Sequence, residues 1–421
     1  MANQVTTLKM EQKFKKTPAG EIPVDWDMPR LSDVTTIIMG QSPSSSVCNQ
    51  RGEGIPFYQG NADFGAIYPT PNNWCSTPKK MATTGDILIS VRAPVGAINV
   101  ASHECCIGRG LSAIRATRID SKFLYYALGM LAPILNKLAQ GSTFEAINSK
   151  ELANLPIPLP PNKEQKKIAE ILSTVDDAIE KISAVIEKSN QLKKGLMQTL
   201  LTHGIGHKKF KKTPAGEIPV EWEVIRLGEL AEEIYRYPTY FNIKYVPKGV
   251  PEIRGELIRA NGKLETDKSL YRFISQETAE KFPQTRLIPG DFVLSVRGTI
   301  GKVGIVPESL AGANMTANLI RISPNRSLAH PDWLLFVLLS DSFKEILNAT
   351  SSSTTIKTIT SSDLKDIPIA CPAIQEQKEI AEILSGLDAK IEQEEAALME
   401  TQKLKHGLMR ELLSGKVRTT Q

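Results

Sequence analysis

The chain contains two long amphipathic stretches that share one pattern, residues 160–201 and 372–413. In each stretch, apolar residues follow one another at alternating spacings of four and three, which is the a/d pattern of helices that pair along one seam. A helix of about 40 residues is ~60 Å long at ~1.5 Å per residue, which exceeds the width of a small domain. The pattern therefore predicts two helices that project beyond their own domains and pair with each other.

Polar residues interrupt the predicted seam in both copies, at Ser189 and Lys193 in the first and at Glu394, Thr401 and Lys405 in the second. Such a break weakens a seam but fixes its register, because sliding one helix along the other would bury a charge against an apolar side chain. The apolar residues predicted to form the helix-pair interface are Ile168, Leu172, Val175, Ile179, Ile182, Ile186, Leu196, Leu200, Ile380, Leu384, Leu387, Ile391, Leu398, Leu408 and Leu412.

The duplication extends beyond the two helices. The segment FKKTPAGEIPVDW, which begins at Phe14, returns at Phe210 with Glu221 in place of Asp25 as its one change. Farther on, GDILISVRAPVG at residues 85–96 is echoed by GDFVLSVRGTIG at residues 290–301. Each of these latter motifs predicts a β-strand between two turns, with the strand ending in the arginine. Repetition on this scale indicates that one structural unit occurs twice.

The order of features within each unit predicts a mixed α/β domain followed by a long helix. Apolar helical stretches at residues 123–138 and 333–347 are followed by polar tracts and then by prolines, which force extended chain and place the helix starts near Asn162 and Ala373. Residues 40–80 and 236–284 show no convincing alignment with each other. We call these two segments the unlike centres of the domains. Similar flanking segments around dissimilar centres indicate two domains that have the same kind of function but act on two different targets.

Connectivity predicts how the helices pair. The first helix leaves the first domain and enters the second, whereas the second helix leaves the second domain and runs back, so a pair would be antiparallel. The predicted fold class is α+β, with two mixed α/β domains separated by a pair of long antiparallel coiled-coil helices and related by an internal pseudo-two-fold repeat. The predicted segments are 1–161 for the first domain, 162–202 for its helix, 203–373 for the second domain and 374–421 for its helix.

Composition bounds the class of protein. The 421 residues are 41% hydrophobic and 23% charged, and the net charge of +5 permits nucleic acid as a partner without requiring it. The N-terminus lacks the apolar core of a signal peptide, and the longest apolar run, residues 333–339, is too short for a bilayer, so we expect a soluble cytoplasmic protein. Five cysteines without a CxxC pair predict neither a disulfide framework nor a zinc site, and we interpret the HECC cluster at His103 as coincidence.

The duplicated unit resembles the specificity subunit of type I restriction-modification systems. The resemblance rests on the proline-rich entry to each helix, the Glu164-Gln165 and Glu376-Gln377 pairs, the IAEIL sequence after them, and the LKKGLMQTLL and LKHGLMRELL helix ends. The strand ending in Val-Arg and the Gly-Ser-Thr tract at residues 141–143 also fit, and the resemblance covers essentially the whole chain. The second copy departs by having Ser-Thr-Thr at residues 353–355.

The resemblance implies a function for each part. Each globule would be a target recognition domain that reads one half of a bipartite site in double-stranded DNA, and the helices would be spacers that also dock two modification subunits. Those methyltransferase partners would bind S-adenosylmethionine, and restriction subunits would use ATP and magnesium to translocate and cut DNA. The chain itself would be a non-catalytic subunit without a cofactor or metal.

Two other functional classes remain open from the residues alone. The chain lacks the glycine-rich turn and the Asn/Asp-Pro-Pro-aromatic motif of a methyltransferase, but the Glu-x-Lys elements at residues 164–166 and 376–378 have the form that metal-dependent nucleases use. A glutamate at a helix start is also explained by the helix dipole, and no well-spaced upstream aspartate completes a metal site. A scaffold that does not bind DNA would explain the helices but not the unlike centres. Salt-dependent DNA binding separates these classes.

Arginine and lysine match guanine in the major groove, and asparagine and glutamine match adenine. The resulting DNA-binding candidates in the first domain are Arg51, Gln59, Asn61, Asn72, Asn73, Arg92, Arg109, Ser142 and Thr143. Those in the second domain are Arg236, Arg254, Arg259, Asn261, Arg297, Asn314, Asn318, Thr354, Thr355 and Lys357. The serines and threonines are predicted to contact phosphate rather than bases. For Arg92 and Arg297, the strand that both copies share favours a framework ion pair with a neighbouring acid over base contact.

Overall fold

The structure is a computed structural model that describes residues 13–17, 20–140, 146–236, 243–350 and 359–419. It divides into two compact units, residues 1–183 with 397–421 and residues 184–396. The two long helices are Asn162–Leu200 and Ile374–Leu413, so each helix contributes one part to each unit. Both begin directly after the proline-rich segments.

The first unit has a two-stranded hairpin, a four-stranded sheet in the order β3-β11-β8-β9 and a five-stranded sheet in the order β4-β6-β5-β10-β7. Its strands are β1 (Phe14–Thr17), β2 (Gly20–Pro23), β3 (Thr35–Met39), β4 (Cys48–Asn49), β5 (Ile55–Tyr58), β6 (Trp74–Cys75), β7 (Met81–Ala82), β8 (Ile87–Ser90), β9 (Ile98–Val100), β10 (Cys105–Ile107) and β11 (Leu111–Ala116). Its helices are α1 (Leu31–Val34), α2 (Ser121–Gln140), α3 (Ser149–Ala153) and the long α4 (Asn162–Leu200).

The second unit repeats this plan with one hairpin, one two-stranded sheet formed by segments distant in sequence, and two four-stranded sheets ordered β15-β22-β19-β20 and β16-β18-β17-β21. Its strands are β12 (Phe210–Thr213), β13 (Gly216–Pro219), β14 (Glu223–Arg226), β15 (Ala231–Arg236), β16 (Tyr245–Val246), β17 (Val250–Ile253), β18 (Arg272–Ile274), β19 (Phe292–Ser295), β20 (Val303–Ile305), β21 (Asn314–Met315), β22 (Leu319–Pro324) and β23 (Pro368–Cys371). Its helices are α5 (Gln276–Glu280), α6 (Pro331–Leu339), α7 (Asp341–Thr350), α8 (Ser361–Lys365) and the long α9 (Ile374–Leu413).

The repeated Gly-Asp motifs start equivalent central strands. Gly85 and Gly290 have φ angles of 88° and 90°, a left-handed backbone that glycine adopts without a Cβ clash, and each turn feeds a fully buried strand, β8 or β19. The strands end at Ser90 and Ser295 rather than at the arginines two residues later, which corrects the predicted strand ends. The motif thus places Arg92 and Arg297 just beyond the end of a sheet.

One of the two predicted apolar helices is broken. Residues 123–138 lie within the single helix α2, but residues 333–347 divide into α6 and α7. The cause is Ser340, which has an extended backbone and whose hydroxyl accepts a hydrogen bond from the Phe343 amide at 3.2 Å. A serine that caps a following helix in this way ends the preceding one.

In the first unit, α4 and α9 pack antiparallel. Asp176 forms an ion pair with Lys405 at 2.6 Å, while Ile168 and Leu172, earlier on α4, share a buried core with Leu412, later on α9. The Lys405 ammonium also lies 5.9 Å from the centroid of the Tyr126 ring, and the Tyr126 hydroxyl donates to Asp176 at 2.7 Å. The predicted polar interruption is therefore a buried contact between the helices and the domain helix α2.

The second unit contains the equivalent arrangement. Lys193 of α4 pairs with Asp388 of α9 at 2.5 Å and lies 5.6 Å from the centroid of the Phe336 ring of α6. Leu200, later on α4, shares a core with Ile380, earlier on α9, so the helices are again antiparallel within this unit. Because these lysine side chains are mostly buried, a shift in register would leave a buried charge unpaired.

The predicted interface residues divide by location. All of them are buried or half-buried, whereas Leu192 and Leu404, outside the seam, are more than half exposed. Those at the helix ends pack into the domain cores: Ile168, Leu172, Leu408 and Leu412 in the first unit and Leu196, Leu200, Ile380 and Leu384 in the second. The middle residues are Val175, Ile179, Ile182, Ile186, Leu387, Ile391 and Leu398. The seam thus begins as domain core and continues along the helices.

Candidate nucleic-acid interface

In the first unit, three candidate residues converge at one end of the four-stranded sheet. Strand β8 ends at Ser90, which lies opposite Leu111 at the start of β11, so Arg92 and Arg109 emerge from neighbouring strands at the same end. The Arg109 amide donates to the Ser42 hydroxyl at 3.2 Å, and this hydroxyl donates to Gln59 Oε1 at 3.0 Å. We call Gln59, Arg92 and Arg109, all exposed, the first polar end.

In the second unit, the corresponding sheet end gathers three more candidates. Arg236 is the last residue of β15 and lies opposite Ile320, and Ser295 at the end of β19 lies opposite Leu319. Asn318 directly precedes β22, and its carbonyl accepts a hydrogen bond from the Val296 amide at 2.9 Å, next to Arg297. We call Arg236, Arg297 and Asn318 the second polar end.

Among the residues that the structure describes, no acid forms an ion pair with Arg92 or Arg297. The predicted framework partner is therefore not found within the described ranges. Both arginines are exposed because they follow the strand rather than lie within it. Arg92 instead makes a backbone bridge to Ala146, at the border of the polar tract. The tract residues Ser142, Thr143, Thr354, Thr355 and Lys357 lie outside the described residues.

The other first-domain candidates lie on loops and turns outside the four-stranded sheet. Arg51 is exposed on the loop after β4, where it forms a bidentate ion pair with Glu53 at 2.9 and 3.0 Å. Asn61 is half-buried in a short 3-10 turn, and Asn72 and Asn73 precede β6 in extended chain. The Asn72 side chain donates to the Thr70 carbonyl at 3.5 Å. These residues belong to the unlike centre of the domain.

Four second-domain candidates are held by the protein itself. Arg254 and Arg259 pair with Glu256 and Glu265, each at 2.5 Å. Asn261 donates to Glu392 of α9 at 3.4 Å, so it helps to join the domain to the helix. Asn314 is only 1% exposed, and its side-chain Oδ1 accepts a hydrogen bond from the Met315 amide at 2.7 Å. Because a buried side chain cannot reach a base edge, we remove Asn314 from the DNA-binding set.

The repeated tryptophan and glutamate have a structural role that the sequence patterns did not predict. The Trp26 indole donates to Glu164 at 3.1 Å, and Arg418 donates to the same carboxylate from Nε at 2.8 Å and Nη2 at 2.9 Å. Arg418 also pairs with Asp25 at 2.7 Å, and these two carboxylates raise the pKa of the guanidinium. Glu164 is fully buried. We call Asp25, Trp26, Glu164 and Arg418 the first clamp.

An equivalent cluster occurs in the second unit. The Trp222 indole donates to Glu376 at 3.0 Å, and His207 Nε2 contacts the same carboxylate at 2.9 Å. The adjacent glutamines also have equivalent roles: Gln165 accepts from the Asp120 amide and donates to the Pro160 carbonyl, whereas Gln377 accepts from the His330 amide and donates to the Pro372 carbonyl. The Glu-Gln pairs thus fasten each long helix to its domain.

These contacts account for the Glu-x-Lys elements without catalysis. Glu164 is enclosed by its donors, and Glu376 is mostly buried. Across the described ranges no group of three His, Cys, Asp or Glu side chains is placed to hold a metal ion. The helix dipole is not needed to explain the two glutamates, because each one binds an indole from the repeated N-terminal segment.

Within the described part of the chain, no helix combines the length and apolarity needed to cross a bilayer.

Comparison with known proteins agrees with this architecture. The sequence profile of the type I restriction modification DNA specificity domain matches residues 23–189 and 219–401, so it matches once in each repeat and covers most of the chain. The chain belongs to this family. Its two matches to the family profile each span a globular domain and part of the long helix that follows.

Individual family members align over different extents. A type I restriction enzyme MjaVIII specificity subunit from Methanocaldococcus jannaschii is 29% identical over 97% of this chain and 96% of its own length. A putative MjaX specificity subunit from the same organism is 46% identical over 45% of this chain and 46% of its own length. The EcoBI specificity subunit of Escherichia coli is 25% identical over 86% of this chain and 79% of its own length.

Solved structures support the fold. The S subunit of a type I restriction-modification system from M. genitalium superposes with a TM-score of 0.57 at 16% identity, covering 92% of this chain and 96% of that one. A chain from a study of assembly of a type I R-M system gives a TM-score of 0.56 at 20% identity, covering 94% and 99%. At these identities the similarity concerns the fold alone.

Proposed function

We propose that this chain is the DNA sequence-recognition subunit of a type I restriction-modification complex, with each globular domain reading one half of a bipartite site. The observation that carries the proposal is the pair of polar ends. Both domains place an arginine, Arg92 or Arg297, at the same end of equivalent sheets, but the side chains around that arginine differ. Arg236 lies where the first domain has Met39, and Asn318 lies where it has Gly110. Equivalent positions with unlike side chains suit two domains that recognise different sequences.

In this proposal the chain is not an enzyme, and its partners carry the chemistry. Two modification subunits dock on the helices, bind S-adenosylmethionine and methylate the site, while restriction subunits use ATP and magnesium. The relatives are named as specificity subunits of restriction enzymes, which supports this division of labour. The nuclease alternative has no support, since its glutamates belong to the tryptophan contacts. We place the complex in the cytoplasm.

We further propose that α4 and α9 form an antiparallel coiled coil that sets the spacing between the two half-sites, in a chain with pseudo-two-fold symmetry. Support comes from the helix lengths of 39 and 40 residues, from the equivalent lysine–aspartate contacts and from the half-buried middle of the seam. The first clamp and the equivalent cluster of Trp222, His207 and Glu376 would fix both helices to their domains, so that a change in helix length is transmitted to the domains.

A chimera tests the division into half-sites. Residues 41–82 and 102–110 of the first domain should be replaced together by those of a relative with a different site, because β10 pairs with both β5 and β7 and the two segments form one sheet. Gly40 should be retained, since an added Cβ would lie 2.1 Å from the Gly108 carbonyl oxygen. We expect one half of the methylated sequence to change and the other to stay the same.

The measurement is methylome sequencing of cells that contain the chimera and the modification subunits. The matched control is the reciprocal replacement of the unlike centre of the second domain, which should change the opposite half. An active chimera that changes both halves, or neither, would show that the domains do not read separate half-sites.

A further inference from the structure

Two arginines at the second polar end lie close together. Strands β15 and β19 both pair with β22, on its two sides, so Arg236 at the end of β15 and Arg297 just after β19 flank the start of β22. Asn318 directly precedes β22, the strand between β15 and β19, and its side chain is exposed. The backbone register alone therefore brings two guanidinium groups to one place on the surface of this domain.

No acid within the described ranges balances the charge of this pair. The Arg236 Nη1 donates to the Ile359 carbonyl at 3.4 Å, and its buried Nε has no hydrogen-bond partner. Burial, and after it the nearby charge of Arg297, lowers the pKa of Arg236. No acid pairs with either arginine in the ranges that the structure describes. In the sequence, residues 237–242, which follow Arg236, and residues 351–358, which precede Ile359, contain no Asp or Glu.

Other arginines of the same unit form ion pairs with glutamates, as is expected of arginines with a purely structural role. Arg321 contacts Glu233, and Arg254 and Arg259 each have a glutamate partner. Two like charges held together without an acid repel each other, and an anion between them would reverse the sign of that interaction. Guanidinium groups hold phosphate oxygens through paired N–H donors, so a phosphate is the anion whose geometry fits best.

We propose that Arg236 and Arg297 together bind one backbone phosphate of the DNA beside the half-site that the second domain recognises. This inference rests on the proposed function and adds a phosphate contact that positions the duplex without reading its sequence. The first domain has Met39 in the place of Arg236, so the contact belongs to the second half-site alone. The two half-sites should therefore differ in how strongly salt weakens their binding.

The variant Arg236→Met introduces methionine, the residue that the first domain has at the equivalent position, Met39. In the full chain assembled with its modification subunits, it should weaken binding to a duplex carrying the site roughly tenfold at low salt. The slope of log K against log salt should become shallower, and by about 0.9 when Arg297 is also replaced by methionine, because one phosphate fewer is then neutralised. Half-site sequence variants should all be weakened by the same factor. Arg226→Met is the matched control, since Arg226 is exposed and pairs with Asp366, and its slope should equal that of the wild type.

Methylphosphonate substitution locates the phosphate without changing the protein. Neutral linkages placed singly along the second half-site should include one that weakens the wild type roughly tenfold, Arg236→Met by a smaller factor and the double variant Arg236→Met/Arg297→Met hardly at all, because the linkage and both arginines contribute to the same contact. If the wild-type complex binds DNA and Arg236→Met has an unchanged slope, or no linkage couples to it, the phosphate site is wrong while the proposed function stands. A variant that changes the preferred sequence would make Arg236 a base reader instead. A wild-type complex that fails to bind DNA would overturn the proposed function itself.

Discussion

Replacing Glu164 by alanine should destabilise the chain by about 3 kcal/mol, because the change removes the centre of the first clamp. Its carboxylate is fully buried and accepts hydrogen bonds from Trp26 and Arg418. Without it, the buried indole N–H loses its acceptor, Arg418 keeps only Asp25 as an acidic partner among the described residues, and the segment after α9 loses its contact with the start of α4. Urea denaturation of the full-length variant and wild type measures the difference.

A surface ion pair provides the control for this variant. Glu53 pairs with Arg51 in bidentate geometry, but both side chains are largely exposed, so Glu53→Ala should leave stability essentially unchanged. The variants Glu164→Ala and Arg418→Met should also be strongly non-additive, since each removes the other's partner. If Glu164→Ala is as mild as Glu53→Ala, or if the two clamp variants add, the clamp does not hold the segments together.

The clamp also predicts a dependence on pH. The hydrogen bond from Arg418 lowers the pKa of Asp25 below its ordinary value of 3.8. Because the folded-state pKa is the lower one, the contribution of Asp25 is complete above the unfolded-state value and is lost as the pH falls through the folded-state value. Asp25→Asn should therefore reduce the difference in stability between neutral and strongly acidic solution.

The sequence predicted the helices well because their signals are local. The proline-rich segments before Asn162 and Ile374 are extended, and a helix begins directly after each of them. The apolar spacing then continues on one face of each helix for about ten turns. The polar interruption was also visible, and its pairing of Lys193 with Asp388 follows once the helices run antiparallel. Repetition strengthened each of these predictions, because an accidental pattern would not recur in the same phase.

The candidate site was less predictable because it depends on contacts between distant residues. Arg236, Arg297 and Asn318 are far apart in sequence, and only the strand order brings them to one end of a sheet. Composition could not show that Asn314 is buried. The partnership of Trp26 with Glu164 had one usable signal, namely that tryptophan and glutamate recur at equivalent positions of both repeats.

Lengthening both long helices by one heptad should increase the unspecified gap between the half-sites by about three base pairs. Seven residues add ~10 Å to a helix, and base pairs are ~3.4 Å apart along the duplex. Counting seven residues forward from Asp176 reaches Ser183, and counting seven back from its partner Lys405 reaches Leu398, so these two positions face each other. The insertion points are therefore directly after residue 183 and directly before residue 398.

The inserted sequences can be taken from the chain itself. Repeating residues 177–183 in α4 and residues 391–397 in α9 continues the alternating spacing of the seam without a phase change. A single insertion in α4 alone is the control, because it would place seven residues out of register and separate Lys193 from Asp388 or Asp176 from Lys405. That variant should lose stability and methylation activity, whereas the double insertion should remain folded.

Methylome sequencing again gives the result directly. Seven helical residues make nearly two full turns, so the domains keep almost the same rotation about the helices, but three base pairs rotate the duplex by roughly 100°. Some affinity should therefore be lost to twisting of the DNA, while both half-site sequences stay as they were. A gap longer by two to four positions supports the role of the helices as a spacer. An active double-insertion variant with an unchanged gap would show that the partner subunits, rather than α4 and α9, determine the distance between the half-sites.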